Sequence, residues 1–346
     1  MRDASIDPLA GLFTDVSLMA TTYPPVEYAV PGVIPEGLSL LVSAPKIGKS
    51  WLVLGIGVAC ASGGRALGRI RVEPRPVLYL ALEDGPRRLQ SRKIMMGVPD
   101  GVPGLMYGTR VDHDTNVVEM VRAYLTSTPG KPLIVVDTLG KVMPTAFANE
   151  TTYERDYRVS GWLKEITTEF PGASVVVVHH SRKADASDFV DAVNGTNGLA
   201  GGADSIIVVR RKRHESTGTL HVTGRDIPEG RYAVTFDPTT GLWALDGASL
   251  YEASRNADQA DQTTGVGDAM GAIIRTVEEL GTATACQVAG KLSMDNDTVG
   301  RYLRRAVNAG RIAKASYGKY RSVAVSDVSE CPTSLGLERL YAEDDT

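Results

Sequence analysis

Residues 44–51 are Ala44, Pro45, Lys46, Ile47, Gly48, Lys49, Ser50 and Trp51. The apolar run "LSLLVSA" ends there, and a second one, "WLVLGIGVACASG", starts at once. Gly-Lys-Ser at a strand-to-helix turn suits phosphate. The glycine lets backbone N–H groups curl around anionic oxygens at a helix N-terminus. The lysine supplies a cation, and the hydroxyl ligates Mg²⁺. The full phosphate-loop pattern opens with a further glycine, and Ser43 stands in its place. Residues Ala44 through Trp51 are therefore expected to hold nucleotide, with Ser50 also on the metal.

Two carboxylates close other apolar runs. Asp137 ends "PLIVVD", where it would complete the Mg²⁺ shell. Glu83 follows "VLYLAL". It would face the same edge of a parallel sheet and polarise an attacking water. Singly, each has an ordinary explanation: a chance Gly-Lys-Ser, an Asp capping a turn, a Glu opening a helix. Three of them in order at strand ends point to nucleoside triphosphate hydrolysis with Mg²⁺.

Strand-length apolar runs must position these groups. "LSLLVSA", "PVLYLALE", "PLIVVD", "SVVVVHH" and "DSIIVVRR" alternate with helix-length segments. They do not alternate with polar residues, as is usual for strands buried on both faces. The pattern predicts an α/β fold over 22–245, a mostly parallel sheet with helices on both faces. Beyond "RRKRHESTG", the segments "TLHVTGRD", "RYAVTFDP" and "LWALDG" predict closing antiparallel hairpins. Residues 1–21 carry no pattern and are taken as an N-terminal arm. Residues 246–266 are small and polar, as a linker is. Residues 326–346 are an acidic, loose tail.

Composition narrows the class. The 346-residue chain is 43% hydrophobic and 23% charged, within the range of soluble globular proteins. Its net charge of −4 excludes a global basic field, so any nucleic-acid contact must be local. Three scattered cysteines (Cys60, Cys286, Cys331) build neither a disulfide framework nor a zinc site. A cytoplasmic location is expected. No apolar run reaches the length of a membrane span.

The ordered set "SAPKIGKSW", "VLYLALEDGPRRLQSR", "LIVVDT", "VVVVHHSRK" and "GLAGGADSIIVV…VTGRD" resembles the RecA-like P-loop ATPases of the RepA/DnaB hexameric helicase type, over about residues 22–245. RepA-like plasmid and phage ATPases are the nearest in pattern. The resemblance implies that Glu83 is the catalytic base and that His180, rather than His179, senses the γ-phosphate. It implies a homo-oligomeric, hexameric ring with nucleotide between subunits. Arg225 of "VTGRD" would then reach the neighbour's site, with Arg210, Arg211 and Arg213 as competitors. Two loops, 141–153 and 181–197, would face single-stranded DNA in the channel through Lys141, Arg182 and Lys183.

The segment 267–325 is separate. It reads as three helices and a hairpin and resembles a winged helix-turn-helix. Its first helix would bury Met270, Ile273, Ile274 and Val277. Asp295 or Asn296 would cap the third helix, and Gly310 would end it. Residues 267–323 hold nine Lys/Arg against five Asp/Glu, a local +4 within a chain of −4. That is the footprint of a phosphate-binding surface. The third helix would show Thr298, Arg301, Tyr302 and Arg305, and the wing Lys319 and Arg321. Together the resemblances imply an ATP-dependent DNA motor, foremost a RepA-like replicative helicase of a phage or mobile element. A RecA-like recombination or annealing ATPase and a nucleotide-gated DNA-binding regulator share the same motifs.

Overall fold

Nine strands share one sheet in the computed structural model, which describes residues 9, 11–111, 116–180, 197–263, 268–316 and 318–323. Strands in chain order are β1 (Tyr28–Val30), β2 (Ile34–Pro35), β3 (Gly37–Ser43), β4 (Arg65–Ala66), β5 (Ile70–Arg71), β6 (Val77–Ala81), β7 (Leu105–Gly108), β8 (Leu133–Asp137), β9 (Ser174–His180), β10 (Ser205–Arg211), β11 (Thr217–Gly224), β12 (Gly230–Phe236) and β13 (Trp243–Leu245). The large sheet has the order β13-β12-β11-β10-β3-β9-β8-β6-β7. From β10 to β7 every pairing is parallel. The strands β11 to β13 add as antiparallel hairpins, as the turn-rich sequence predicts.

Both faces of the sheet are covered, which is why its strands are continuously apolar. Leu41, Val135, Val176 and Val178 pack with Leu52, Val53 and Ile56 of helix α2 (Lys49–Ser62) on one side. Helix α1 (Asp15–Ala20) precedes these and buries none of its residues. On the other side, Leu40, Val42, Ile134, Val136, Val175 and Val177 pack against two helices. These are α4 (Val117–Ser127) and α5 (Thr152–Glu169). The helix between them in sequence with α2, α3 (Pro86–Met95), seats Leu89 on the first face. Each fully buried Leu, Ile or Val contributes about 1.5–3 kcal/mol.

The chain divides into two units, residues 1–257 and 258–346. The division falls inside a helix, Leu250–Thr263. Residues 246–266, expected as a linker, hold this helix, and the division between the units falls within them. Ala253 and Ala257 are fully buried on one stripe, Leu250 packs partly buried against the core, and most of the other residues are polar. Small side chains make that stripe, so no large apolar periodicity marks it. The second unit holds helices Asp268–Leu280, Ala285–Leu292 and Asn296–Asn308 with three strands, β14 (Thr282–Thr284), β15 (Ile312–Ser316) and β16 (Lys319–Ser322). They pair antiparallel in the order β14-β16-β15. Met270, Ile273, Ile274 and Val277 are buried in its core, as read from the sequence. Asp295 caps the third helix by accepting from the Thr298 N–H. Among the described residues no helix is long and apolar enough to cross a membrane.

Candidate nucleotide site

The loop after β3 owes its shape to two left-handed residues, Lys46 (φ 65°) and Gly48 (φ 100°). Ser43 is not one of them. It ends β3, paired in register with His180 and Val209. The position where the motif has its first glycine is here still strand, so a side chain is tolerated. Helix α2 begins directly after Gly48 with no side-chain cap and no acid in its first turn. By contrast, Asn116 with Glu119 and Thr151 with Glu154 form capping boxes on α4 and α5. The first amides of α2 are thus left for an anion.

Four adjacent parallel strands, β3, β9, β8 and β6, end side by side. Ser43 pairs with His180, and Ala81 pairs with Asp137. This register brings Lys49, His180, Asp137 and Glu83 together from positions far apart in sequence. Lys49 is buried, and its Nζ lies against His180 Nδ1. Desolvation holds its ammonium below the usual lysine range, against the pull of Asp137 and Glu83. His180 Nε2 lies 3.4 Å from Glu83 Oε1. Glu83 Oε1 also accepts from the Thr138 hydroxyl at 3.0 Å. Burial pushes the Glu83 carboxyl up, but Thr138, His180 and Lys49 together outweigh it and the net shift is downward.

Glu83 and His180 each have a neighbour of the same chemistry, and the fold gives each pair different surroundings. Asp84, beside Glu83, is buried and ion-paired to both Arg88 and Arg92. Its charge is spent on helix α3. His179 is displaced down to about 4 by burial, then by His180 and Lys49, and is neutral at physiological pH. His180, one residue on and therefore on the other face of β9, is the histidine that meets Lys49 and Glu83.

Asp137 has the features of a cation ligand. It is 2% exposed, and its Oδ2 accepts from the Tyr79 hydroxyl at 2.8 Å. Its Oδ1 is buried without a hydrogen-bond partner. Such an oxygen is costly unless something positive meets it. Burial pushes the carboxyl up, while the Ser50 and Tyr79 hydroxyls pull it down. Mg²⁺ fits this donor set, because it takes one or two protein oxygens and completes its shell with water and substrate phosphates. No group of three acidic, histidine or cysteine side chains forms a protein cage among the described residues.

The other expected residues lie elsewhere. Arg225 follows β11 at the sheet end opposite the phosphate loop, since Gly224 pairs with Ser205 and Ser205 with Ser39. It is 66% exposed and lies 3.8 Å from Asp204. Lys141 is exposed at the end of a 3₁₀ turn after β8. Arg182 and Lys183 lie outside the described residues. Arg301, Arg305, Lys319 and Arg321 are all exposed on the second unit. Arg304, missed in the sequence, lines a groove with Arg301, Gly300, Gly318 and Tyr320. Tyr302, expected on display, instead packs against the core of that unit.

Fold and strand-end geometry together define a RecA-like P-loop ATPase. Residues 7–186, just over half of the chain, match the family model described as an AAA domain, and the chain belongs to that family. Its fold is similar to a DnaB-like replicative helicase studied with its interactions with primase (TM-score 0.51, 14% identity, 66% of each chain covered). The chain thus spans about two thirds of that helicase. A KaiC-like protein from Pyrococcus horikoshii OT3 (TM-score 0.42, 14% identity, 65% of this chain and 100% of that one) and the RadB recombinase (0.42, 16%, 60% and 91%) are more distant matches.

Proposed function

We propose that the protein is an ATP-driven DNA motor, a RepA-like replicative helicase of a phage or mobile element that works as a homo-oligomeric ring. The observation that carries the ATPase part is the convergence of Lys49, Ser50, Asp137, Glu83 and His180 at four neighbouring strand ends. In this reading Lys49 and the first amides of α2 hold the β- and γ-phosphates. Ser50 and Asp137 would hold Mg²⁺, which would supply positive charge to phosphate oxygens. Glu83 accepts the proton of the attacking water. The Thr138 hydroxyl fixes that carboxylate, and its lowered pKa keeps it ionised at neutral pH. His180, between Lys49 and Glu83, registers the γ-phosphate.

The DNA part is supported by the second unit, read as a winged helix whose exposed Arg301, Arg305, Lys319 and Arg321 meet duplex phosphate. Lys141 would face single-stranded DNA in a central channel. A forked-duplex assay with ATP tests the whole reading. Unwinding that stops in Glu83→Gln is the expected result. Strand pairing without unwinding, or sequence-specific duplex binding alone, would replace the helicase with a recombination ATPase or a nucleotide-gated regulator.

A further inference from the structure

Three side chains from the antiparallel end of the sheet converge on the outer side of the phosphate loop. Arg211 closes β10. Its Nε and Nη2 each donate to the Ile47 carbonyl at 3.1 Å. Trp243 opens β13, and its Nε1 donates to the Gly48 carbonyl at 3.0 Å. Phe236 closes β12 and lies beside Trp243, ring centroids 5.2 Å apart. The Arg211 guanidinium sits over both rings, 4.7 Å from Phe236 and 5.8 Å from Trp243. The fit is tight. A Cβ at Gly48 would lie 3.3 Å from Phe236 and from Trp243 Nε1.

We propose that Arg211 and Trp243 are positioning residues for nucleotide, acting through the phosphate loop; this rests on the phosphate-loop reading above. A peptide whose carbonyl accepts a hydrogen bond has a more polarised N–H on its other side. The Ile47 carbonyl belongs to the peptide that ends in the Gly48 N–H, and the Gly48 carbonyl to the one that ends in the Lys49 N–H. Donors on the outside thus strengthen the two amides that face phosphate oxygens inside. They also hold both carbonyl dipoles away from the anion. The guanidinium suits the task because its fork grips one oxygen with two N–H groups, and an ammonium does not reproduce that geometry. The same contacts remove Arg211 from the competitors for an arginine reaching into a neighbouring site: its fork is engaged on its own chain.

Two conservative variants of the full chain test this. Trp243→Phe keeps an aromatic ring and drops the pyrrole N–H; Arg211→Lys keeps the charge and drops the fork. Each is expected to weaken MgADP binding about five- to tenfold by calorimetry, the loss that goes with one hydrogen bond. In the bound complex, the ³¹P resonance of the β-phosphate should move toward its free position. A purely structural role would lower the thermal midpoint and leave affinity and the ³¹P shift of the folded protein unchanged. That result in both variants, with MgADP binding lost in Lys49→Ala, overturns the proposal and leaves the site reading standing. If Lys49→Ala binds MgADP as the parent does, the site reading falls and takes the proposal with it.

Discussion

Burial disfavours the charge of Lys49, and its neighbours are the groups a phosphate would meet. Lys49→Ala is expected to abolish ATP binding, read by calorimetry. Glu83→Gln should bind ATP and lose about 10²–10⁴ in turnover, the usual worth of a general base. Normal turnover in Glu83→Gln would move the base elsewhere, and Asp84, tied to two arginines, is a poor successor. Ser43→Gly should leave ATP affinity unchanged, because Ser43 has no left-handed backbone for glycine to relieve. Lysine, hydroxyl and both carboxylates were legible in the sequence, because strand ends and short motifs are local features. The resemblance named Glu83 and preferred His180 to His179, and the arginines paired with Asp84 and the face of β9 add a physical reason for each. Arg211 was legible only as one basic residue among several. Its contact with Ile47 spans 164 positions, and no local pattern reports such a pairing.

At the level of elements, continuous Val, Ile and Leu runs announced the parallel strands, since burial on both faces leaves no room for polar alternation. Helix Leu250–Thr263 was hidden, because alanines make its buried stripe and, after Leu250 and Tyr251, its other residues are small or polar, as in a linker. Ala253→Leu should overpack that stripe and destabilise the first unit by about 1–3 kcal/mol in chemical denaturation. An unchanged midpoint would mean that the helix does not dock through Ala253. In the second unit, the helix and hairpin were legible from capping and turn residues. Which arginines share the groove was not, as Arg304 shows. Replacing Arg301 and Arg305 together by Ala in the full chain should weaken duplex binding and flatten its salt dependence by roughly two phosphate contacts' worth of slope. Binding indifferent to salt would assign this unit to a protein partner.

Across the whole first unit, the phosphate loop and Arg225 stand at opposite ends of one sheet. Arg225 cannot serve the site of its own chain, so any catalytic role is in a neighbour's. Arg225→Ala is expected to keep ATP affinity and to cut hydrolysis by about 10³–10⁵. Mixed with Glu83→Gln, it should regain part of the activity, since some interfaces then pair an intact Glu83 with an intact Arg225. A mixture that stays inactive, although mixed assemblies form, would remove Arg225 from the active site and leave Arg210 and Arg213 to be tested. The separation has a further consequence. If Arg225 completes a neighbour's site, subunits joined head to tail through these two ends would stack with one polarity, as heterologous interfaces require. In an open stack the first subunit has an arginine with no site to serve, and the last has a site that no arginine completes. Closing the circle removes both idle ends at once. On that reading turnover per subunit would count ends: short open stacks would run below their full rate, longer ones would approach it, and only a closed assembly would reach it at any size.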